Sequence, residues 1–441
     1  MSSTLVLGGL VAIAVLLWLL WEWRDSVREK AVRAEAADVA GLGEVVPTSL
    51  HPVIDPNVCM GSGACAAICP EHGPLGLIGN RAVLVNPLGC VGHGACAAAC
   101  PVSAIRLVFG TKTRGVELPE VGPTFETNQP GIYIVGELGG MGLIRNAVSQ
   151  GSRAAQSIAS GSDTGVRRGV GGALDVLIVG AGPAGISATL GAMQAKLNTV
   201  LVDREALGGT ITHYPRAKVV MTGPLDFPLF GRVEKKTMSK EALVELWEQI
   251  MAKCQLPLAT GHLVEKIEGQ QSGMWRVQSA TQSWEAANVV LALGVRGSPR
   301  KLGVPGEDLA KVAYRLLEPE PFEAKHVLVV GGGNSAVETA ISLADFGRCA
   351  SVAISYRRDA FARCRGDNRR RIEAAIQQGS VRALMPSNLT AIEEGRVLWK
   401  GQDEVVQTLQ NDAVIAQVGG TAPADLLKTF GINLVTKYGE R

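Results

Sequence analysis

Asp175-Val-Leu-Ile-Val179, followed at once by Gly180-Ala-Gly182-Pro-Ala-Gly185, reads as a buried strand that turns directly into a helix beginning at Ile186. The three glycines permit a tight turn, close approach to a pyrophosphate, and close packing of helix on strand, while the helix amino end faces the phosphate charge. A second apolar strand runs from Thr199 to Val202, and Asp203 stands where a ribose-binding acid belongs, about 20 residues on. A glycine-rich loop alone does not account for strand, turn, helix, strand and acid in that order.

The pattern recurs at His326-Val-Leu-Val-Val330 and Gly331-Gly-Gly333-Asn334-Ser335-Ala336, with alanine as the permitted third small residue. Its second strand, near Ser351 to Ser355, ends in Tyr356-Arg357-Arg358, with Arg363 and Arg365 just beyond. Arginines match a 2′-phosphate, which favours NADPH over NADH at this second site. A solvated helix surface suits Arg369 to Arg371 better.

Upstream, Cys59-Met-Gly-Ser62-Gly-Ala-Cys65-Ala-Ala-Ile-Cys69-Pro70 is nearly repeated as Cys90-Val-Gly-His93-Gly-Ala-Cys96-Ala-Ala-Ala-Cys100-Pro101. The run of two-cluster bacterial ferredoxins is C-x2-C-x2-C-x3-C-P, whose fourth cysteine serves the other cluster. Each copy keeps three of the four ligand positions, with Ser62 and His93 at the second. By that analogy one cluster takes Cys59, Cys65 and Cys100, and the other Cys90, Cys96 and Cys69. Either Ser62 and His93 complete 4Fe-4S clusters, or the sites hold 3Fe-4S clusters and both residues only pack nearby. Zinc is the competing reading, but it favours C-x2-4-C pairs that close a tetrahedron, which x5 then x3 spacing followed by proline does not offer.

Lysine plus arginine (43) nearly balance aspartate plus glutamate (41), so no nucleic-acid partner is implied. Six of the nine cysteines lie in the two runs; Cys254, Cys349 and Cys364 are scattered and read as buried small hydrophobes. From Leu5 to Trp21 there is no charge, Trp18, Trp21 and Trp23 gather at its distal end, and Arg24, Arg28, Lys30 and Arg33 follow. This polarity predicts an uncleaved single-pass membrane anchor, with the catalytic domains on the cytoplasmic side of the inner membrane.

The two tandem turns, the segment Leu207-Gly-Gly-Thr-Ile-Thr-His213-Tyr-Pro, the Ala292-Leu-Gly294 turn and Pro305-Gly306 resemble the pyridine nucleotide-disulfide oxidoreductase superfamily, in its thioredoxin-reductase-like and bacillithiol-disulfide-reductase-like branch. That resemblance implies FAD at the first turn and NADPH at the second. It puts FAD against Gly180, Gly182, Pro183, Ala184, Gly185, Asp203, Arg204, Gly208, Gly209, Thr210, His213, Tyr214 and Gly294, and NADPH against Gly331, Gly333, Asn334, Ser335, Ala336, Arg357, Arg358 and Arg363. The redox C-x-x-C of the thiol reductases is missing, and Ala184 stands where the bacillithiol branch has a cysteine. The superfamily also ends in a segment whose acid meets the flavin. Here the matching stretch is upstream, Thr127-Asn-Gln-Pro130-Gly-Ile-Tyr-Ile-Val-Gly136-Glu137, continuing through Arg145 to Gly151 and a helix to Ile158. The resemblance therefore implies a circular permutation with Gly136, Glu137 and Arg145 at the flavin, and attaches the ferredoxin-like module to the segment beside it.

The expected fold is α/β, with two Rossmann-like dinucleotide-binding domains, a small α+β ferredoxin-like domain and an N-terminal transmembrane helix. Residues 4–23 are the anchor, 24–51 stalk and linker, 52–110 the iron-sulfur module, and 111–159 the permuted flavin segment. A linker (160–173), the FAD domain (174–307), the NADPH domain (308–395) and the end of the FAD domain (396–441) follow. The function expected is electron transfer from NADPH through FAD to the clusters and an external acceptor, or the reverse. Quinone, soluble ferredoxin and a partner protein are open as acceptors, with no side chain required as acid or base. A flavin-dependent thiol reductase using Cys254, Cys349 or Cys364, and a non-catalytic relay subunit, are the alternatives. Membrane lipid is a partner through the anchor, and the resemblance implies a homodimer.

Overall fold

A computed structural model describes the chain apart from residues 1, 42–44, 46, 48, 72, 162–166, 215, 217, 296–298, 421, 422 and 441, with only the helical backbone for 2–9 and 11. Part of each expected linker, 42–44, 46 and 48 in the first and 162–166 in the second, thus lies outside the described residues. Two compact units result: Met1–Thr111 with Gly439–Arg441, and Lys112–Tyr438.

The first unit opens on α1 (Ser2–Gly41), 40 residues of unbroken helix. Its charged half docks on the module that follows. Glu29 accepts a hydrogen bond from the Gly79 amide at 3.0 Å and another from Arg33 at 2.9 Å, and Val32 fills the space a Cβ on Gly76 would need. In its apolar half the side chains of Leu16, Leu17, Trp18, Trp21 and Trp23 are exposed. Among the described residues no helix is long and apolar enough to cross a membrane, so the expected transmembrane helix finds no support there. The apolar run is one end of a helix that continues through Glu22 and Arg24, and the side chains of Leu5 to Gly9 and Val11 lie outside the described ones.

The sequence duplication becomes a structural one in β1 (His51–Ile54), α2 (Ala64–Ala67), β2 (Leu75–Ile78), β3 (Arg81–Leu84), α3 (Ala95–Ala98) and β4 (Ile105–Val108). Strand β1 pairs antiparallel with β4, and β2 with β3, so each ribbon takes one strand from each copy of the repeat. Cys59, Cys65 and Cys96 are buried with Leu75, Ala104 and Ile105 in one core.

The second unit begins with β5 (Val116–Pro119), β6 (Ile132–Ile134) and α4 (Ile144–Ser160), then β7 (Leu174–Val179), α5 (Pro183–Gln194) and β8 (Thr199–Val202). Two small antiparallel ribbons, made from β9 (Val219–Met221), β10 (Leu225–Phe227), β11 (Gly231–Val233) and β12 (Thr237–Ser239), precede α6 (Lys240–Cys254). Next come β13 (Leu258–Ala259), β14 (Val264–Gly269), β15 (Trp275–Ser279) and β16 (Ser283–Leu291). The seven-stranded sheet runs β13-β8-β7-β16-β15-β14, with β6 parallel to the end of β16 (Val289 opposite Ile132). Ile132, Leu177, Ile178 and Val289 are fully buried, each large aliphatic contributing about 1.5–3 kcal/mol.

The remainder builds a second sheet from β17 (Val312–Ala313), β18 (His326–Val330), α7 (Asn334–Phe346), β19 (Ser351–Ser355), α8 (Gly366–Gln377) and β20 (Arg382–Leu384). After the antiparallel strands β21 (Asn388–Glu393), β22 (Arg396–Lys400) and β23 (Val406–Gln410), β24 (Ala413–Ala416) returns to it, giving the parallel order β17-β24-β18-β19-β20. The boundary expected at 395 is therefore displaced. Residues 396–416 stay on the second sheet's side: Val397 and Trp399 pack with Leu328 and Val414, and β24, four buried apolar residues, fills the slot beside β18. Only α9 (Ala424–Thr429) and β25 (Leu434–Lys437) go back to the first sheet's side, where Leu427 and Phe430 join Ile132 and Leu177 and β25 pairs with β5.

Candidate functional site

The first turn is shaped by what each glycine faces. Gly180 has φ +110, and a Cβ there would come within 2.5 Å of the Ala292 carbonyl; one on Gly185 would strike the Gly180 carbonyl. Gly182, at the mouth of α5, has nothing within 4 Å of its would-be Cβ. Open ground at a helix amino end, with backbone N–H groups facing it, fits a pyrophosphate. Pro183 occupies the first turn of α5, where its missing N–H costs nothing.

Asp203 ties the turn to the end of β8. Its Oδ2 accepts from the Ala181 amide at 2.6 Å and its Oδ1 from the Glu205 amide at 2.7 Å. Burial pushes its carboxyl above the ordinary carboxylate value, against those hydrogen bonds. A ribose contact would add to this tie. Glu205, which the sequence reading passed over, gathers His213 Nε2, Arg204 at 3.2 Å and Arg315 at 3.9 Å. Burial opposes ionisation of Glu205, but His213 and the two arginines hold it below its usual value.

Gly208 and Gly209 lead into a short 3-10 turn, Gly209–His213, that carries Thr210 and packs on Trp247. Tyr214 takes the Lys218 ammonium over its ring at 4.8 Å. Gly294 lies two residues past the Ala292 carbonyl that Gly180 faces, with open space around it. From upstream, a Cβ on Gly136 would lie 3.1 Å from Ala184, so the exposed Glu137 follows directly on the FAD-type turn. The Gly136 amide donates to Gln150 Oε1 at 2.7 Å, another residue sequence reasoning missed. Arg145, on the first turn of α4, packs against Gly223.

At the second turn Gly331 (φ +141) faces the Gln417 carbonyl, Gly332 faces the Tyr356 ring, and Gly333 is open. Ala336 is fully buried below it, and a Cβ on Gly331 would come within 3.0 Å of its methyl. Asn334, followed by Ser335 in the first turn of α7, accepts from the Arg365 amide at 2.8 Å and from Asn368 at 3.0 Å, which pins the arginine segment to the turn. Arg357 and Arg358 are exposed just past β19, and Arg363 forms a backbone bridge to Gly333. Burial first, and then repulsion from Arg358, Arg114 and Arg357, lowers the Arg363 pKa. Four guanidinium groups thus share one field. Arg114 was not legible as a member, since it lies more than two hundred residues away in sequence.

In the cysteine module both repeats adopt one backbone. Gly61 and Gly63 (φ +75 and +71) match Gly92 and Gly94 (φ +80 and +75), and each pair opens a one-turn helix bearing Cys65 or Cys96. Asn80 crowds Gly61 and the Leu50 carbonyl crowds Gly92, so positive φ without a side chain is required at both. Cys65 feels Cys59 and Cys100, while Cys90 feels Cys69, the crossed neighbours that the repeat implies. Amides point at sulfur: Ala82 N–H at 3.4 Å from Cys59 Sγ, and Ala104 N–H at 3.2 Å from Cys100 Sγ. The Ala82 bond holds the Cys59 thiol below its usual value, whereas burial pushes Cys96 up to about 11. Thiols in that state give up their protons to iron. Cys69, Cys90 and Cys96 line one small cavity together with His93 and Glu71. Among the described residues no three His, Cys, Asp or Glu side chains converge on a single ion. Ligands of a cluster sit apart, each on its own iron, and this donor set with its N–H···S bonds fits that arrangement.

The remaining cysteines pack in apolar cores. Cys364 is buried, donates to the Phe361 carbonyl at 3.2 Å, and has a thiol pushed up to about 12 by burial. Cys254 packs beside Trp247 and Ile250, Cys349 beside Val352 and Leu343.

Two dinucleotide turns, one on a mixed sheet and one on a parallel sheet, define a flavoprotein oxidoreductase that uses a nicotinamide dinucleotide. The chain belongs to the pyridine nucleotide-disulphide oxidoreductase family, which matches residues 177–439, and it carries a 4Fe-4S dicluster domain over residues 51–101. It is 29% identical to a ferredoxin-NADP reductase of Ignicoccus hospitalis, over 59% of this chain and 82% of that protein. The bacilliredoxin reductase Bdr of Bacillus subtilis is 24% identical over 60% and 82%, and a ferredoxin-NADP reductase of Thermus thermophilus 30% identical over 59% and 77%. Among solved structures, the bacillithiol disulfide reductase Bdr (YpdA) from Staphylococcus aureus shares the fold. Its TM-score is 0.51 at 22% identity, covering 58% of this chain and 79% of that one.

Proposed function

We propose that this protein is an NADPH-dependent FAD and iron-sulfur oxidoreductase, carrying electrons between NADPH and a one-electron partner through ferredoxin-type clusters on the same chain. Flavin supplies the conversion between the electron pair of a nicotinamide and the single electrons of a cluster. The chain's own residues bind and orient. Gly180, Gly182 and Gly185 seat one pyrophosphate, Gly333 with the α7 amino end seats the other, and Arg357, Arg358 and Arg363 select the 2′-phosphate.

The observation that carries this reading is that Cys69 of the first run lines one cavity with Cys90 and Cys96 of the second, the crossed grouping of a two-cluster module, in a chain that also has both nucleotide turns. The thiol-reductase alternative has less behind it, since Ala184 stands at the turn and Cys364 is a buried, protonated thiol.

Residues 127–158 are read as the flavin-domain segment that relatives carry at their other end, moved by permutation; β6 beside β16 and α4 on α5 support this. A soluble ferredoxin is the favoured partner, by analogy with the ferredoxin-NADP reductases. Attachment to a membrane through α1, with the two units on its cytoplasmic side, rests on the exposed run from Leu16 to Trp23 and the cations after it.

The test is NADPH oxidation by the anaerobically purified full chain, coupled to a two-cluster ferredoxin. Flavin reduction by NADPH should survive Cys65→Ala while ferredoxin reduction falls at least tenfold. Equal ferredoxin reduction by both proteins would refute the route through the clusters.

A further inference from the structure

The two repeats share a backbone but not the setting of their fourth ligand position. Ser62, in the first, is exposed. His93, at the matching place in the second, has a side chain only 10% exposed, with Nε2 itself buried 3.9 Å from Glu71 Oε1. His93 lines the same cavity as Cys69, Cys90 and Cys96. Repeated sequence would give equivalent sites; a buried imidazole facing three thiols and an exposed hydroxyl at the matching place do not.

We infer that the clusters are unequal. The site of Cys69, Cys90, His93 and Cys96 holds a four-iron cluster whose fourth iron is bound by the imidazole. The site of Cys59, Cys65 and Cys100 has three protein ligands and holds a three-iron cluster. Imidazole is a competent iron ligand, and it replaces a thiolate on cluster iron in Rieske centres. A serine hydroxyl binds iron only as the alkoxide, which a position open to water does not favour over hydration.

The first site then has one corner open to exogenous iron. The balance is [3Fe-4S]0 plus Fe2+ giving [4Fe-4S]2+, after one-electron reduction of the oxidised three-iron form by dithionite. The bonds formed run from the added iron to three cluster sulfides; those broken are its bonds to waters released to solvent, one solvent ligand staying as the fourth.

This rests on the electron-transfer reading only in taking the module as cluster-binding. Protein without iron would overturn that reading, whereas two four-iron clusters would overturn only the inequality.

The experiment is iron quantitation with electron paramagnetic resonance and Mössbauer spectroscopy on the full chain, purified anaerobically. Wild type should contain about seven irons and show the signal of one oxidised three-iron cluster. Dithionite alone should silence that signal by one-electron reduction, and ferrous ion added after it should raise bound iron to about eight and replace the three-iron Mössbauer pattern with a four-iron one. Ser62→Cys should remove it and raise iron to about eight, and Ser62→Ala should leave it unchanged. His93→Ala should double the signal, while Glu71→Gln should leave cluster type unchanged. Flavin absorbance reports folding in every variant. Wild type with about eight irons and no three-iron signal would overturn the assignment at the first site. An unchanged second-cluster spectrum in His93→Ala would overturn it at the second. Loss of the three-iron signal in Ser62→Ala would show that Ser62 acts there after all.

Discussion

Gly151 of α4 lies against Ala184 of α5, so closely that a Cβ on Gly151 would come within 2.1 Å of the Ala184 carbonyl oxygen. Gln150, next to it, accepts from the Gly136 amide, and Ser187 on α5 donates to the Val148 carbonyl at 2.7 Å. A helix that precedes β7 in the chain is thus fitted to the helix that carries the first dinucleotide turn.

Gly151→Val should therefore act on stability. There is no void for the added methyls, so about 1–3 kcal/mol or more is lost and FAD occupancy falls with it. Thermal unfolding followed by flavin release checks this; an unchanged melting temperature would contradict the packing.

Gly182→Val and Gly333→Val should behave oppositely. Neither position has positive φ or a neighbour within 4 Å, so both variants should fold as wild type. Each fills the space a pyrophosphate needs. The first should emerge without FAD. The second should keep FAD and lose NADPH reduction by at least a hundredfold, read by stopped-flow absorbance.

Arg357→Gln with Arg358→Gln should raise KM for NADPH roughly tenfold to a hundredfold while leaving KM for NADH within about twofold, since only the 2′-phosphate distinguishes the two. Arg114→Gln should shift NADPH in the same direction by less. Equal effects on both nucleotides would mean that the arginines serve the fold.

Glu307 is buried, and its carboxylate accepts from the Leu302 and Gly303 amides and from the Tyr314 hydroxyl at 2.7 Å. Burial works against ionisation, yet those donors leave its pKa below the usual value. With the folded pKa lowered, its stabilisation is complete above the ordinary carboxylate range and is lost as pH falls through the folded value. Glu307→Gln should lower the melting temperature at pH 7 and flatten its decline on the acid side. A parallel decline in both proteins would remove Glu307 from the account.

Both nucleotide turns and the cysteine repeat were legible in the sequence because each is local: a strand, a turn of fixed glycine spacing, a helix. The expectation of a membrane span came from hydropathy alone, while α1 continues unbroken from the apolar run into a charged half docked on β2. The boundary at 395 failed because β24 is claimed by a slot beside β18, which local pattern does not reveal. Arg114, Gln150 and Glu205 were missed for the same reason, since their partners are set by tertiary packing. The difference between Ser62 and His93 was visible as two letters, but it needed burial to be decided.

The most direct test of the central claim is electron paramagnetic resonance of the anaerobically purified full chain before and after NADPH, with flavin absorbance recorded in parallel. The account predicts that NADPH bleaches the flavin and that signals of reduced iron-sulfur clusters then appear, both lost in Gly333→Val and the second lost in Cys65→Ala with Cys96→Ala. Flavin that bleaches beside clusters that stay silent at every NADPH concentration would contradict it.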